Sequence, residues 1–274
     1  MGCSRLNSLL AAGGRRRAER TLEAALEQGI RFFDTADIYG QGDSERALGR
    51  VLRGAEGVTI ATKAGYLLPA PMWAFRLAKP PLRLATRLRG AVGRSLAERR
   101  SRGYAQCFDA DHLRRALHGS LQRLGRDRVE LFLLHNPPPA VAGSDALWRF
   151  VDDAKRAGDL RSFGISCDGA EADIVWLRQS AVEVAQVPLA SGHARATDEF
   201  LASAAARGVG IVAREILGGP GRHDETAIEA GLRAALGHPS VSVALIGMTR
   251  PEHVRANAAL ARRIGSADAI ARRA

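Results

Sequence analysis

Four side chains in this sequence could together place a proton on a carbonyl oxygen: Asp34, Tyr39, Lys63 and His135. A free phenol titrates at about pH 10, too high for an efficient proton donor near neutrality. An ammonium beside it would stabilise the phenolate and lower that value. A lysine withdrawn from water needs a partner, and Asp34 offers the opposite charge. A histidine can hydrogen-bond the substrate oxygen and orient it. The set suits protonation of an oxygen while a hydride reaches the carbon. Side chains supply no hydride, so the chemistry requires a cofactor. Each residue alone has a commoner role: helix cap, loop anchor, solvated charge, core histidine. Their joint placement gives them weight. Asp34, Lys63 and His135 each close a short apolar run, and Tyr39 follows Asp34 in the loop 34–40.

The elements that must position them alternate in type. Helical spacing of apolar residues predicts helices over Arg15–Gln28, Ser44–Leu52, Asp109–Leu124, Ser144–Ala157, Ala170–Gln179, Asp198–Arg207, Glu225–Leu236 and Glu252–Arg263. Between them, short apolar runs predict strands over Arg31–Asp34, Val58–Thr62, Val129–Leu134, Ser162–Ser166, Val182–Val187, Val209–Ala213 and Val241–Ile246. Such alternation implies parallel strands joined by right-handed crossovers. The fold expected is a (β/α)8 TIM barrel, one domain over residues 1–274, with the catalytic groups at the C-terminal mouth. Only Met1–Ser4 remains for the first strand, which must be short or truncated. Residues 66–106 interrupt the rhythm after the third strand of that scheme. This insertion carries Arg76, Lys79, Arg83, Arg87, Arg89, Arg94, Arg99, Arg100 and Arg102 against the single acid Glu98, and 82–96 could form a basic amphipathic helix. It reads equally as a functional element, a lid over the substrate or a surface that meets an anionic partner or membrane, and as a solvated insertion.

Composition narrows the classes. The net charge is +11, and almost all the cations are arginine; Lys63, Lys79 and Lys155 are the lysines. A nucleic-acid site would interleave aromatics with a basic groove, and aromatics make up only 5%. Cys3, Cys107 and Cys167 form no CxxC pair, which fits a reducing cytoplasm better than a disulfide framework or a zinc site. No run is long and apolar enough for a membrane span, and no signal peptide is expected. The histidines show no His-x-His pair, which ranks a metal-dependent hydrolase last among the readings.

The run Phe33-Asp34-Thr35-Ala36-Asp37-Ile38-Tyr39-Gly40, followed by Ser44-Glu45 and Leu48-Gly49, resembles the signature of the aldo-keto reductases. Thr62-Lys63, Leu133-Leu134-His135-Asn136-Pro137, Gly164-Ile165-Ser166 and Gln186-Val187 are similar to its later landmarks, and the likeness runs from about Gly2 to Asn257. The resemblance implies Tyr39 as general acid, Lys63 and Asp34 as the groups that tune it, and His135 as the group that orients the carbonyl. It also implies a nicotinamide cofactor held without a GxGxxG loop, NADP(H) first and NAD(H) as the alternative. Ser166 and Gln186 would hold the carboxamide, with Cys167 where the family usually has Asn. Arg214 stands where the family often stacks an aromatic ring, and Glu215 could instead hold it in a salt bridge. Leu217, Gly219 and the glycines around them would let the backbone approach the pyrophosphate. Gly247, Thr249, Arg250, His253 and Asn257 would form the adenosine-phosphate segment, with Arg250 standing in for the family's 2′-phosphate ligands. The expected partner is a small carbonyl or alcohol substrate, with no nucleic acid. The competing reading is a non-catalytic cofactor-binding barrel that contacts a partner through its basic insertion.

Overall fold

A computed structural model describes residues 1–6, 14–67, 104–189, 196–218 and 224–271, with side chains through 265. The basic residues of the insertion, its expected helix over 82–96, and Gly219 lie outside the described residues. Seven strands follow one another in one parallel sheet: β1 Phe32–Asp34, β2 Thr59–Ala64, β3 Val129–His135, β4 Leu160–Ser166, β5 Val184–Pro188, β6 Gly210–Arg214 and β7 Val241–Ala244. The described α-helices are α1 Gly14–Glu27, α2 Asp43–Val51, α3 Ala110–Leu124, α4 Asp145–Ala157, α5 Ile174–Leu177, α6 Asp198–Ala206, α7 Glu225–Gly237 and α8 Pro251–Ala271.

The expected first strand is reduced to bridges. Gly2 pairs in parallel with Asp34 on one side and Gly247 on the other. The Gly2 N–H donates to Ile246 O (3.0 Å), the Cys3 N–H to Asp34 O (2.8 Å), and the Asp34 N–H to Met1 O (2.9 Å). Residues 1–3 therefore join the two edges of the sheet, and Ser4–Leu6 turns away from it. The helix expected over 170–179 is also interrupted. A 3₁₀ turn, Glu171–Asp173, precedes α5, because the Asp173 carboxylate accepts the Ala170 N–H (3.1 Å) and tightens the entry. Elsewhere local chemistry sets the ends. Ser144 Oγ, Thr197 Oγ1 and Asp224 Oδ1 accept the first free N–H groups of α4, α6 and α7. Gly125 and Gly158 end α3 and α4 in the left-handed conformation.

Side chains alternate across each strand. On one face Phe33, Ile60, Phe132, Leu134, Phe163, Ile165, Ala185 and Ile211 are buried in the main core. On the other, Ala61, Leu131 and Leu133 form a separate small cluster with Phe32 and Val184. Gly164 lies in register with Leu133. A Cβ there would sit 2.1 Å from Val184 O and 2.9 Å from a Leu133 methyl, so this inner cluster has no room for a side chain at that position. The parity of the inner cluster reappears at the strand ends. Asp34 is two residues past Phe32, Lys63 past Ala61, His135 past Leu133, Ser166 past Gly164 and Gln186 past Val184. Five polar side chains therefore cap one inner face.

Candidate active site

The inner-face residues meet as a continuous chain of hydrogen bonds. Lys63 Nζ donates to Asp34 Oδ1 (2.6 Å) and to Thr35 O (2.8 Å). Gln186 Nε2 donates to the same Asp34 oxygen (2.6 Å), and Ser166 Oγ donates to Gln186 Oε1 (2.9 Å). Lys63 and Gln186 are each only 1% exposed, so these groups have exchanged water for one another. Burial drags the Lys63 ammonium toward neutrality, but the attraction of Asp34, with smaller help from Tyr39, outweighs it and leaves the pKa raised. Lys63 is a fixed cation.

Tyr39 sits in the loop after β1. Its ring centroid lies 5.1 Å from Lys63 Nζ and 5.9 Å from the His135 ring, edge to face. Lys63 pulls the phenol pKa down, as the sequence led one to expect, yet the net direction is upward. Desolvation is the larger effect, and Asp34 adds to it. The phenol thus carries its proton throughout the neutral range. Burial holds the His135 pKa well below the usual value, helped by the charges of Lys63 and Arg214. Its imidazole is neutral at neutral pH. Its Nδ1 is buried without a hydrogen-bond partner among the described residues.

The loop of Tyr39 rests on a second buried set. Glu45, fully buried, accepts from Thr62 Oγ1 (2.6 Å) and from Arg123 Nε (2.5 Å). Thr35 Oγ1 donates to Ser44 Oγ (2.9 Å). Arg123 also fills the space beside Gly42, where φ is +80° and a Cβ would lie 2.5 Å from the Arg123 side chain. Asp37 lies in the same loop with its Oδ1 buried and without a hydrogen-bond partner among the described residues. Burial and the nearby Glu45 charge push its pKa up to about 7, against the pull of Arg123 and Lys63. Asp37 and Arg123 carried no signal of their own in the sequence, because their roles depend on helix α3 packing under the loop.

At the end of β6, Arg214 is held. It donates to Glu215 and to Asp168 Oδ1 (3.1 Å), and to Cys167 O (3.1 Å). The salt bridge to Glu215 is formed and extends to Asp168. Arg214 Nε is buried without a partner among the described residues. Leu217 packs half-buried against the core. The remaining expected cofactor residues lie far less enclosed. Gly247, Arg250 and His253 are exposed, Thr249 and Asn257 half-buried. Arg250 is 3.9 Å from Glu252 in a 53%-exposed pair. No group of three or more His, Cys, Asp or Glu among the described residues could hold a metal ion.

Sequence reasoning passed over Tyr66 and Gln106. Tyr66 packs edge to face on His135 at 4.7 Å, and Gln106 Nε2 donates to His135 O (3.2 Å) and Asn136 O (2.8 Å). One signal was available: the chain has three tyrosines, and two of them stand at this mouth.

The arrangement can deliver a proton from a loaded phenol beside a permanent cation, next to a neutral imidazole. Comparison with known proteins identifies the family. The sequence profile of the Aldo/keto reductase family matches residues 1–229. A 6-dehydroglucose reductase of Novosphingobium aromaticivorans is 34% identical over 169 residues, which span 57% of this chain and 44% of that enzyme's length. A pyridoxal 4-dehydrogenase of Microbacterium luteolum is 27% identical over 94% of this chain and 87% of its own. Among solved structures, an aldo-keto reductase from Klebsiella pneumoniae in complex with NADPH superposes with a TM-score of 0.69 at 19% identity, covering 96% of this chain and 84% of that one. These structural relatives share the barrel fold.

Proposed function

This chain belongs to the aldo/keto reductase family, and on that premise we propose that it is an NAD(P)H-dependent reductase of aldehydes or ketones, with Tyr39 as general acid. The observation that carries the reading is the Tyr39 ring lying against both Lys63 Nζ and His135 while Lys63 is pinned by Asp34. A bound reduced nicotinamide would supply the hydride, two electrons and one hydrogen, to the carbonyl carbon. Tyr39 gives its proton to the carbonyl oxygen, completing the alcohol. The Lys63 ammonium stabilises the phenolate left behind, and Asp34 keeps Lys63 in place. His135, neutral, meets the substrate oxygen by hydrogen bonding and adds no competing charge. In the reverse direction the same groups oxidise an alcohol or a sugar hydroxyl.

The protein's fit to a nicotinamide nucleotide rests on the donors at the mouth. Arg214 Nε is buried without a partner among the described residues, and the first turn of α8, opened by Pro251, leaves N–H groups suited to phosphate. Ser166, Gln186, Arg214, Leu217 and Gly219 would hold the nicotinamide and pyrophosphate. Gly247, Thr249, Arg250, His253 and Asn257 would hold the adenosine end. The NADPH complex of the Klebsiella relative supports NADP(H) as first choice, with Arg250 meeting the 2′-phosphate and NAD(H) as the alternative. The relatives named for 6-dehydroglucose and pyridoxal supply the first carbonyl compounds to try. Three unpaired cysteines agree with a cytoplasmic enzyme.

The test is cofactor oxidation followed at 340 nm with a panel of aldehydes, for the native protein and Tyr39→Phe. The substitution keeps the ring and removes the acid. Turnover is expected to fall by roughly 10²-fold or more, while NADPH binding, read by fluorescence, persists. Equal rates in the two proteins would remove Tyr39 from the mechanism.

A further inference from the structure

A catalytic histidine is ordinarily oriented through its second ring nitrogen, by a carboxylate or a carbonyl. His135 has no such tether: its Nδ1 is buried with no partner among the described residues. Something else must hold the ring, and the structure offers two contacts. Both come from the feet of the segment that leaves after β2 and returns before α3. Those feet pair antiparallel, Tyr66 opposite Gln106. The Leu67 N–H donates to Ala105 O (2.7 Å) and the Cys107 N–H to Gly65 O (2.8 Å). Gly65, at φ +131°, accepts the Phe108 ring so closely that a Cβ would lie 2.3 Å from it. The paired feet are thereby seated against the barrel.

From that seat Gln106 Nε2 reaches across to two successive carbonyls, His135 O (3.2 Å) and Asn136 O (2.8 Å). Asn136 is one of three non-glycine residues with positive φ among the described residues, at +57°. That conformation costs a non-glycine residue free energy and persists only where its surroundings dictate it. The Gln106 amide satisfies the carbonyls that this turn exposes. The Tyr66 ring meets the imidazole at 4.7 Å and 78°, while Tyr39 meets it at 5.9 Å and 84°. The imidazole is thus bounded by two phenol rings and carried on a backbone turn clamped by an amide.

We infer that Tyr66 and Gln106 are the positioning residues of His135: Gln106 sets the backbone turn on which the imidazole rides, and the Tyr66 ring sets its tilt toward Tyr39. The role rests on the carbonyl-reductase reading for its catalytic consequence, but not for its structural one. Tyr66 acts through the face and edge of its ring, so its hydroxyl is dispensable. Gln106 acts through its N–H₂ donor, which an apolar side chain cannot replace.

The experiment compares Tyr66→Ala, Tyr66→Phe and Gln106→Ala by three readouts: aldehyde kinetics, NADPH binding by fluorescence, and the His135 imidazole signals in an NMR spectrum of ring-labelled histidine, assigned against His135→Asn. Tyr66→Ala and Gln106→Ala are expected to lose about tenfold or more in kcat/KM, equivalent to about 1.4 kcal/mol of transition-state stabilisation, to bind NADPH as the native protein does, and to shift or broaden the His135 signals. Tyr66→Phe should stay within about threefold of native, the scale of a contact that survives. Unmoved His135 signals in Tyr66→Ala and Gln106→Ala overturn the inference, whatever the kinetics show. So does a loss in Tyr66→Phe as large as in Tyr66→Ala, which would assign the role to the hydroxyl. Should the native protein reduce no carbonyl, the functional reading fails by itself, and the His135 signals still decide the positioning.

Discussion

At one side of the mouth Ser166, Gln186, Asp34 and Lys63 form an unbroken run of hydrogen bonds, each group buried and each short of water. At the other, the segment from Gly247 to Asn257 presents exposed or half-buried side chains, and its main cation shares a loose, solvated pair with Glu252. The first region is built for one geometry. In the proposed reaction a hydride and a proton would have to reach neighbouring atoms, so misplacement of the acid by about 1 Å would be costly. In the proposed function the second would grip a nucleotide far from the reacting atoms, so its residues could change with little effect on the chemistry. The fold builds them from different parts: strand ends supply the first, a loop and a helix N-terminus the second.

That contrast breaks most sharply at Lys63. Lys63→Met removes the cation but leaves the Asp34 carboxylate buried, with the Gln186 amide for company. A buried pair that loses one partner costs about 3–5 kcal/mol, so the urea midpoint should fall steeply and turnover with it. An unchanged midpoint would mean the site is wetter than its burial implies.

Within the buried side one group is out of balance. Asp37, its pKa pushed up to about 7 by burial first and by Glu45 second, binds a proton more tightly folded than unfolded. The contribution of Asp37 to native stability is therefore fully present below about pH 4, declines as the pH rises toward about 7, and levels off above. Asp37→Asn abolishes that slope. Measured by denaturant titration, the variant should match native at pH 4 and exceed it by roughly 2 kcal/mol at pH 8, a value reduced for the residue's partial exposure. A difference independent of pH would sink this reading of Asp37.

The smallest effect belongs to the open side. Arg250→Ala should weaken NADPH binding by up to about fivefold, the scale of an exposed charge pair, and leave NADH binding and turnover unaltered. Fluorescence titration with both nucleotides checks it; an unchanged NADPH to NADH ratio takes Arg250 out of the phosphate site.

How much of this was legible in the sequence differs by region. The alternation of strands and helices was plain, because periods of two and 3.6 residues are written locally. Helix ends such as the one at Ala157 were legible because a glycine, Gly158, follows and takes the left-handed turn. The placement of the three strand-end members of the proposed catalytic set was legible for the same reason: a residue two past an inward apolar side chain also points inward, so Asp34 after Phe32, Lys63 after Ala61 and His135 after Leu133 had to arrive at one rim. The interrupted helix over 170–179 was not legible, because Asp173 reads as an ordinary helical residue until its carboxylate takes the Ala170 N–H.

What the sequence by itself determined, then, is which side chains stand at the strand ends and in what order. Only the tertiary structure decided whom they touch. Gln186 meets Asp34 across 152 positions of sequence, Gly2 joins both edges of the sheet, Arg214 goes to Asp168, and Tyr66 and Gln106 clasp His135. Each of these contacts is set by register between distant segments and by the competition of burial with charge. The same competition leaves the Tyr39 phenol protonated despite the lysine beside it, because desolvation of a side chain depends on everything packed around it and leaves no mark in local spacing.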